Sequence, residues 1–385
     1  MTEPSCHVRI NWEHFRHNVV TLMQKGHDLM PVIKADAYGH GVTRAAKILE
    51  ECGIAWAAAG TLEEAAAIRD AGFSGNIVSL LCLAPGDDDI RLAREKNLTP
   101  LIHNREGLVA SKEAMRRQGA VTPLTIAVKV NTGMGRLGFA LEDIEKVAAF
   151  LADAPELSPI VQVSHLAVAD DPAESAYTSR QCDIFYRATD ILHRVFPSMR
   201  CSLGNTAGLL EGVTHDDDLC RPGIALYGYD PLYGTEHEGH CGSLLPVMEV
   251  SAPLISVHPL HKGESVGYGR TYKADSERLV GWVAIGYADG YRRNPAPGTC
   301  MSINGTRVPV IGRVAMQMTC VDLTDLPTPP VPGDTVYVLG GPGNGVSAQE
   351  LAGWWGTIPY EVTCLLGKNR TESGPPVKRV ACSAL

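Results

Sequence analysis

The stretch Pro31–Gly41, PVIKADAYGHG, decides how the chain is read. An apolar run, Pro31–Ala35, carries a lysine near its end and passes into a turn bounded by Gly39 and Gly41. Its length suits a buried strand. A second apolar run follows at Ala55–Gly60. Others recur at Ile77–Leu83, Leu98–Ile102, Leu124–Val130, Ile160–Ser164, Arg200–Ser202 and Leu219–Tyr227. Stretches of helical character lie between them. Thr61–Ala71 (TLEEAAAIRDA) opens as a capping box, with Glu64 three residues after Thr61. Arg105–Gln118 and Leu141–Ala154 have similar composition. Strands alternating with helices in this number predict a closed (β/α)8 barrel rather than an open doubly wound sheet.

Beyond about Asp230 the texture changes. Pro231–Ser243 is rich in Gly, His and Glu and reads as a linker. The β-rich runs Val247–Val257, Arg278–Ile285, Thr299–Ile303, Val308–Ile311, Cys320–Leu323 and Asp334–Leu339 follow, separated by turn signals such as Asn304-Gly305 and Pro332-Gly333. The expected organisation is an N-terminal strand over 1–12, which packs with the C-terminal domain, a barrel over 13–235, and a mostly β domain over 236–385.

Composition agrees with two globular domains: 385 residues, 45% hydrophobic. The net charge of -9 is spread along the chain, and the short runs Asp87–Asp89 and Asp216–Asp218 read as solvated loops. There is no basic stripe, which argues against a nucleic-acid partner. No apolar run approaches the roughly 20 residues that span a bilayer, and Met1–Asn11 lacks the apolar core of a signal peptide. The 11 cysteines show no CxxC spacing and read as reduced cytoplasmic thiols.

Polar groups recur where predicted strands end: Lys34, Lys129 with Arg136, His165, Asn205-Thr206 and Arg221. Each alone is compatible with a loop cation or a structural hydrogen-bonder. A barrel would bring them to one rim, where barrel enzymes place their chemistry. Apolar neighbours lower the pKa of a lysine, so Lys34 can form a Schiff base; an ordinary loop lysine is the alternative reading.

IKADAYGHG resembles the cofactor-lysine motif of the alanine racemase family, enzymes that use pyridoxal 5'-phosphate. KVNTGMGRLGF (Lys129–Phe139), SHLAVAD (Ser164–Asp170), RPGIALYG (Arg221–Gly228), GYGRTY (Gly267–Tyr272), GYADGYRR (Gly286–Arg293) and IPYEV (Ile358–Val362) resemble further family motifs, in the family's order. The resemblance covers essentially the whole chain. It implies two-base racemisation of a small amino acid, foremost L- and D-alanine, by a homodimer whose sites are shared between subunits.

Position by position, the resemblance makes Lys34 the cofactor lysine and the base on one face of the substrate. It makes Tyr268 the group on the other face, supplied by the second subunit. Racemisation needs both, because one group removes a proton and another returns one. His165 and Arg221 match the neighbours of that tyrosine and of the pyridine nitrogen. Tyr38, Asn205, Thr206, Gly223, Ile224 and Tyr360 are expected to bind the cofactor, most of them at its phosphate. Arg136 matches the residue that meets the substrate carboxylate, Lys129 the often-carbamylated lysine that steadies it, and Met316 a backbone contact to that carboxylate. Tyr287 and Arg293 match the substrate entrance.

Three departures stand out. Gln317 replaces a usual aspartate, Thr206 a usual serine, and Asn131 a common aspartate. They leave the racemase chemistry intact and loosen the tie to alanine, so that serine or a broader substrate set is the alternative. A related decarboxylase would need a cysteine motif in the β domain, and none is recognisable. A non-catalytic pyridoxal-phosphate-binding protein would resemble the barrel alone. A racemase decayed to a binding protein would be expected to have lost catalytic residues, and none is lost here.

Overall fold

The computed structural model describes residues 6–81, 85–214, 216–240 and 242–370. Two compact units divide the chain, one over Asn11–Val247 and the other from the described residues of Met1–Ile10 and Met248–Leu385. The chain opens with β1 (His7–Ile10) of the second unit. It then enters the first unit through α1 (Trp12–Met23), whose N-terminus is capped by Asn11, with Oδ1 accepting the His14 amide at 3.2 Å.

The first unit is a (β/α)8 barrel. Its strands are β2 (Asp28–Leu29), β3 (Trp56–Ala59), β4 (Asn76–Ser79), β5 (Thr99–Ile102), β6 (Leu124–Lys129), β7 (Leu157–Val163), β8 (Arg200–Ser202) and β9 (Leu219–Cys220). β3 to β8 pair in sequence order, and β2 pairs with β9, all in parallel. Two sets of bonds close the ring. Val32, just past β2, bridges Ala58 of β3. On the other side Asp218 and Arg221 donate their amides to the carbonyls of Cys201 (3.1 Å) and Gly204 (2.8 Å).

Between strands run the left-handed turn α2 (Lys34–Tyr38), then α3 (Val42–Glu51), α4 (Leu62–Asp70), α5 (Asp87–Glu95), α6 (Arg105–Arg117), α7 (Ile144–Ala152), α8 (Ser175–His193) and α9 (Thr206–Leu210). The capping box of α4 is present, with Thr61 accepting the Glu64 amide and Glu64 reaching back. β3 and β5 are buried at every position, as expected for strands covered by helices on one side and packed in a barrel on the other.

The second unit is built on a seven-stranded antiparallel sheet. Its strands after β1 are β10 (Met248–Leu260), β13 (Arg278–Val283), β14 (Cys300–Ile303), β15 (Thr306–Ile311), β16 (Thr319–Asp322) and β17 (Thr335–Leu339). The order is β1-β10-β13-β16-β15-β14-β17, and β17 also returns to β10, so the sheet curls on itself. The short pair β11 (Ser265–Val266) and β12 (Tyr272–Lys273) stands apart from it. From Met248 to Leu254 every second residue of β10 is buried, the period-2 pattern of a strand with one face in a core. Leu260, Val266, Val280, Ile311 and Cys320 form one cluster of that core. Helices α10 (Ala348–Trp355) and α11 (Pro359–Leu366) complete the unit.

Several expectations change here. Leu219–Tyr227 is not one strand: β9 ends at Cys220, and Ile224–Tyr227 is a 3-10 turn. Pro222 has no amide to continue a ladder. Pro31–Ala35 pairs only as far as Ile33, whose amide donates to Ala58. Pro231–Ser243 belongs with the barrel rather than leading away from it, since the units divide at Val247. Cys82 and Leu83, the end of the expected Ile77–Leu83 strand, lie outside the described residues, as do 1–5 and 371–385 of the expected terminal domains.

Candidate active site

Lys34 stands where β2's extension ends and a backbone turn of the wrong hand begins. Ala35, Asp36, Ala37 and Tyr38 all have φ between 51° and 54°. Each such residue costs about 1–2 kcal/mol in an L-chain. Bonds from the turn's own backbone and from elsewhere offset this. Glu64 Oε1 accepts the Ala35 amide at 2.8 Å, and Asp36 Oδ1 accepts that of Val42 at 2.8 Å. The turn points Tyr38 inward, where its ring packs against Tyr227 with centroids 4.9 Å apart.

Three basic groups gather across the rim: Arg221 and Lys129 are buried and His165 is half-buried. Arg221, only 4% exposed, donates through Nη1 to Ser202 O (2.7 Å) and Oγ (2.6 Å). Its Nη2 donates to the carbonyls of Ser164 and Leu203 and lies 3.4 Å from His165 Nδ1. Among the described residues no group accepts from its Nε–H. Burial draws this guanidinium down to about 10, with Asp217 opposing, so it stays charged at neutral pH. Burial, then the charges of Arg221, Lys129, Arg136 and Lys34, hold the His165 imidazole well below its usual range. It is neutral at pH 7. Burial, Arg221 and Arg136 likewise hold the Lys129 amine well below the usual lysine range. Arg136 itself is exposed, on a loop that Asn131 shapes by accepting the amides of Gly133 (3.1 Å) and Gly135 (3.2 Å).

Beside this cluster lies a cradle of small donors. Thr206 Oγ1 accepts the Gly223 amide at 2.9 Å, and a Cβ at Gly223 would sit 2.7 Å from Tyr38 Oη. Gly223 precedes the 3-10 turn Ile224–Tyr227, whose first amides have no acceptor within the turn. Two hydroxyls and orphan amides around a glycine that lets the backbone come close suit a phosphate. Asn205 serves differently from Thr206: its Oδ1 caps α9 by accepting the Gly208 amide at 3.0 Å, and its Nδ2 donates to Leu166 O. It shapes the cradle from behind.

Sequence reading missed Asp217, taken with its neighbours as a solvated loop. Asp216 and Asp218 are exposed, but Asp217 is buried. Its Oδ2 accepts the amides of Leu203 and Gly204 at 2.7 Å each, and Oδ1 accepts from Tyr186 at 3.1 Å. Burial raises its carboxyl to about 6, against these bonds and Arg221, which lower it. It fixes the backbone that leads into Asn205 and Thr206. The only sequence signal is its place four residues before Arg221.

In the second unit, Tyr268 opens a 3-10 turn between Gly267 (φ 69°) and Gly269 (φ 73°) and is 65% exposed. Tyr287 and Met316 are exposed too, on turns joined by bonds from the Tyr287 amide to Ala315 O (3.2 Å) and from the Ala288 amide to Met316 O (2.9 Å). Gly286 allows that approach, since its Cβ would lie 2.5 Å from Met316 O. Arg293 is exposed, and its carbonyl accepts the Val314 amide. Tyr360 stands in the first turn of α11. Gln317 is exposed beside Met316.

Residues 10–231 match the family model for the alanine racemase N-terminal domain, and 247–373 that for the alanine racemase C-terminal domain. An alanine racemase of Nitratidesulfovibrio vulgaris (strain Miyazaki F) is 43% identical over 94% of this chain and 96% of its own. That of Lawsonia intracellularis is 38% identical over 96% and 97%. Among solved structures, the biosynthetic alanine racemase of Pseudomonas aeruginosa superposes with a TM-score of 0.83 at 33% identity, covering 94% of this chain and 97% of that one. The Bartonella henselae alanine racemase with covalently bound pyridoxal phosphate gives 0.84 at 26% identity, over 95% and 98%.

Proposed function

The chain belongs to the alanine racemase family, and from that premise we propose how its residues divide the work of a pyridoxal-phosphate-dependent racemase that interconverts L- and D-alanine. The observation that carries the assignment of roles is the gathering of buried Arg221 and Lys129 with half-buried His165 at the rim on which Lys34 stands.

When bound, pyridoxal phosphate supplies an electron sink that acidifies the substrate Cα–H. Lys34 holds the cofactor and moves a proton on one face of the substrate. Tyr268 moves a proton on the other. Arg221 does not surrender its protons near neutrality and would offer Nε–H to the pyridine nitrogen, leaving that nitrogen unprotonated. Thr206, Tyr38, Tyr360 and the amide of Ile224 would take the phosphate, with the Gly223 amide joining them on release from Thr206 Oγ1. Arg136 pairs with the substrate carboxylate as a guanidinium fork. Burial and the neighbouring guanidinium groups lower the Lys129 amine, which suits it to carbamylation beside Arg136. Met316 and Tyr287 border the substrate entrance.

Tyr268, Tyr287, Met316 and Ile358 leave apolar surface exposed on the second unit, which supports a homodimer that covers it and shares its sites. Among the described residues no helix is long and apolar enough to cross a membrane. We place the enzyme in the cytoplasm, supplying D-alanine for peptidoglycan precursors. The deciding experiment offers the holoenzyme a panel of L-amino acids and measures D-product. Conversion of alanine in both directions is expected; inertness toward alanine with turnover of serine alone would overturn the substrate assignment.

A further inference from the structure

The Gly-, His- and Glu-rich stretch after the last barrel strand holds none of the residues assigned to racemisation, yet it is highly organised. Asp230 ties it at two points, accepting the Leu232 amide through Oδ1 and the Gly239 amide through Oδ2, both at 2.9 Å. Thr235 accepts the His237 amide at 3.1 Å, Glu238 accepts that of Gly234 at 3.1 Å, and Lys25 donates to the His240 carbonyl at 2.8 Å. These bonds fix two imidazoles three residues apart. The rings of His237 and His240 stack with centroids 5.0 Å apart and planes 15° from parallel.

Both rings turn Nδ1 toward one carboxylate, that of Glu211 at the end of α9. His237 Nδ1 lies 2.5 Å from Oε2, and His240 Nδ1 lies 3.3 Å from Oε1. Oε1 is buried and has no hydrogen-bond partner, because His240 is near it but off line. A carboxylate oxygen in that state wants a cation. The candidate ligand atoms of the three residues all fall within 4.8 Å of one another. Glu236 Oε1 stands 3.7 Å from Nε2 of His237. As it stands, His237 Nδ1 is hydrogen-bonded to Glu211 Oε2, so a metal taken up here would displace the proton that they share.

We propose that Glu211, His237 and His240 form a binding site for a divalent cation of the zinc class. Two imidazoles and one carboxylate are a usual zinc donor set, with a fourth position open to water. Imidazole donors disfavour magnesium and calcium, which prefer oxygen. The ion would clip the 231–243 segment to the C-terminal end of α9, the short helix whose first residue is Thr206. The site lies apart from the residues assigned to racemisation, and its occupancy is independent of that reaction.

The test uses chelator-treated holoenzyme titrated with zinc against a chromophoric competitor, alongside His237→Ala/His240→Ala and the milder His240→Gln, whose side chain is half exposed. One equivalent per chain is expected to bind. The double variant should lose that equivalent, and His240→Gln should weaken it by at least roughly 10-fold. Cobalt should give visible bands with the parent protein that the double variant lacks. Zinc should raise the melting temperature of the parent alone. Equal zinc stoichiometry and affinity in parent and His240→Gln, or no binding by the parent at a tenth of a millimolar zinc (roughly, weaker than structural sites), would overturn the proposal. Both outcomes are read without the racemase assay.

Discussion

The hydroxyl of Thr206 accepts the amide N–H of Gly223 at 2.9 Å, tying the loop after β8 to the loop after β9. Those strands do not form one ladder; the amides of Asp218 and Arg221 join them through single bonds to Cys201 and Gly204. The cradle therefore depends on contacts between loops more than on the sheet. That arrangement lets small substitutions report on cofactor binding separately from folding.

Gly223→Ala should test the cradle directly. Its Cβ would lie 2.7 Å from Tyr38 Oη and 4.0 Å from Val32, so the tyrosine must move. Affinity for pyridoxal phosphate, followed by its visible absorbance, is expected to fall about 10-fold or more, a loss of roughly 1.4 kcal/mol. Undiminished affinity would take Gly223 out of the phosphate site.

Tyr268→Phe should lower the rate in both directions by about 100- to 10,000-fold, the usual worth of a general acid or base, while the cofactor stays bound. Lys34→Ala should lose both activity and stable cofactor attachment. Mixing the two inactive proteins should recover part of the activity if sites are shared between subunits. Exchange of subunits with no recovery would refute sharing.

Asp217→Asn should change how stability depends on pH. The parent carboxyl sits at about 6 in the folded chain, against roughly 3.9 when unfolded. Below pH 4 it is protonated in both states. As pH rises from about 4 to about 6 the unfolded chain releases its proton first, and stability falls by up to about 3 kcal/mol. Asparagine keeps an oxygen for the Leu203 and Gly204 amides but carries no charge. Urea midpoints of parent and variant measured at pH 4.5 and 7 should therefore diverge, the parent losing more. Parallel midpoints would show that Asp217 does not titrate in this range.

Ala35→Gly should relax the left-handed turn behind Lys34. Ala35 is exposed with φ of 51°, so little packing is lost. A stabilisation of about 1 kcal/mol is expected, reduced by the entropy glycine gains when unfolded. Thermal denaturation measures it. A clear destabilisation would mean that the turn carries no strain at this residue.

Much of the molecule was legible in the chain because its signals are local. The capping box at Thr61 and Glu64, the alternating burial of β10, and the order of motifs from Lys34 to Tyr360 all depend on residues near one another in sequence. The same locality misled at Leu219–Tyr227, where an apolar run breaks at Pro222-Gly223 into a turn that presents amides. It also hid the hand of the Lys34 turn: non-glycine residues seldom adopt positive φ, and here Glu64, some thirty residues on, supplies a compensating bond.

The sequence by itself determined the alternation of strands and helices and the family, and it singled out Lys34, Arg221 and Tyr268 as the candidates for the chemistry. Tertiary structure decided which ordinary residues support them. Asp217 became a buried acceptor for two amides, Asn205 a cap, and Glu211 the meeting point of two histidines from a stretch that reads as a linker. The physical reason is that propensity and periodicity act over a few residues, whereas the desolvation and pairing of a polar side chain are set by whichever distant segments fold against it.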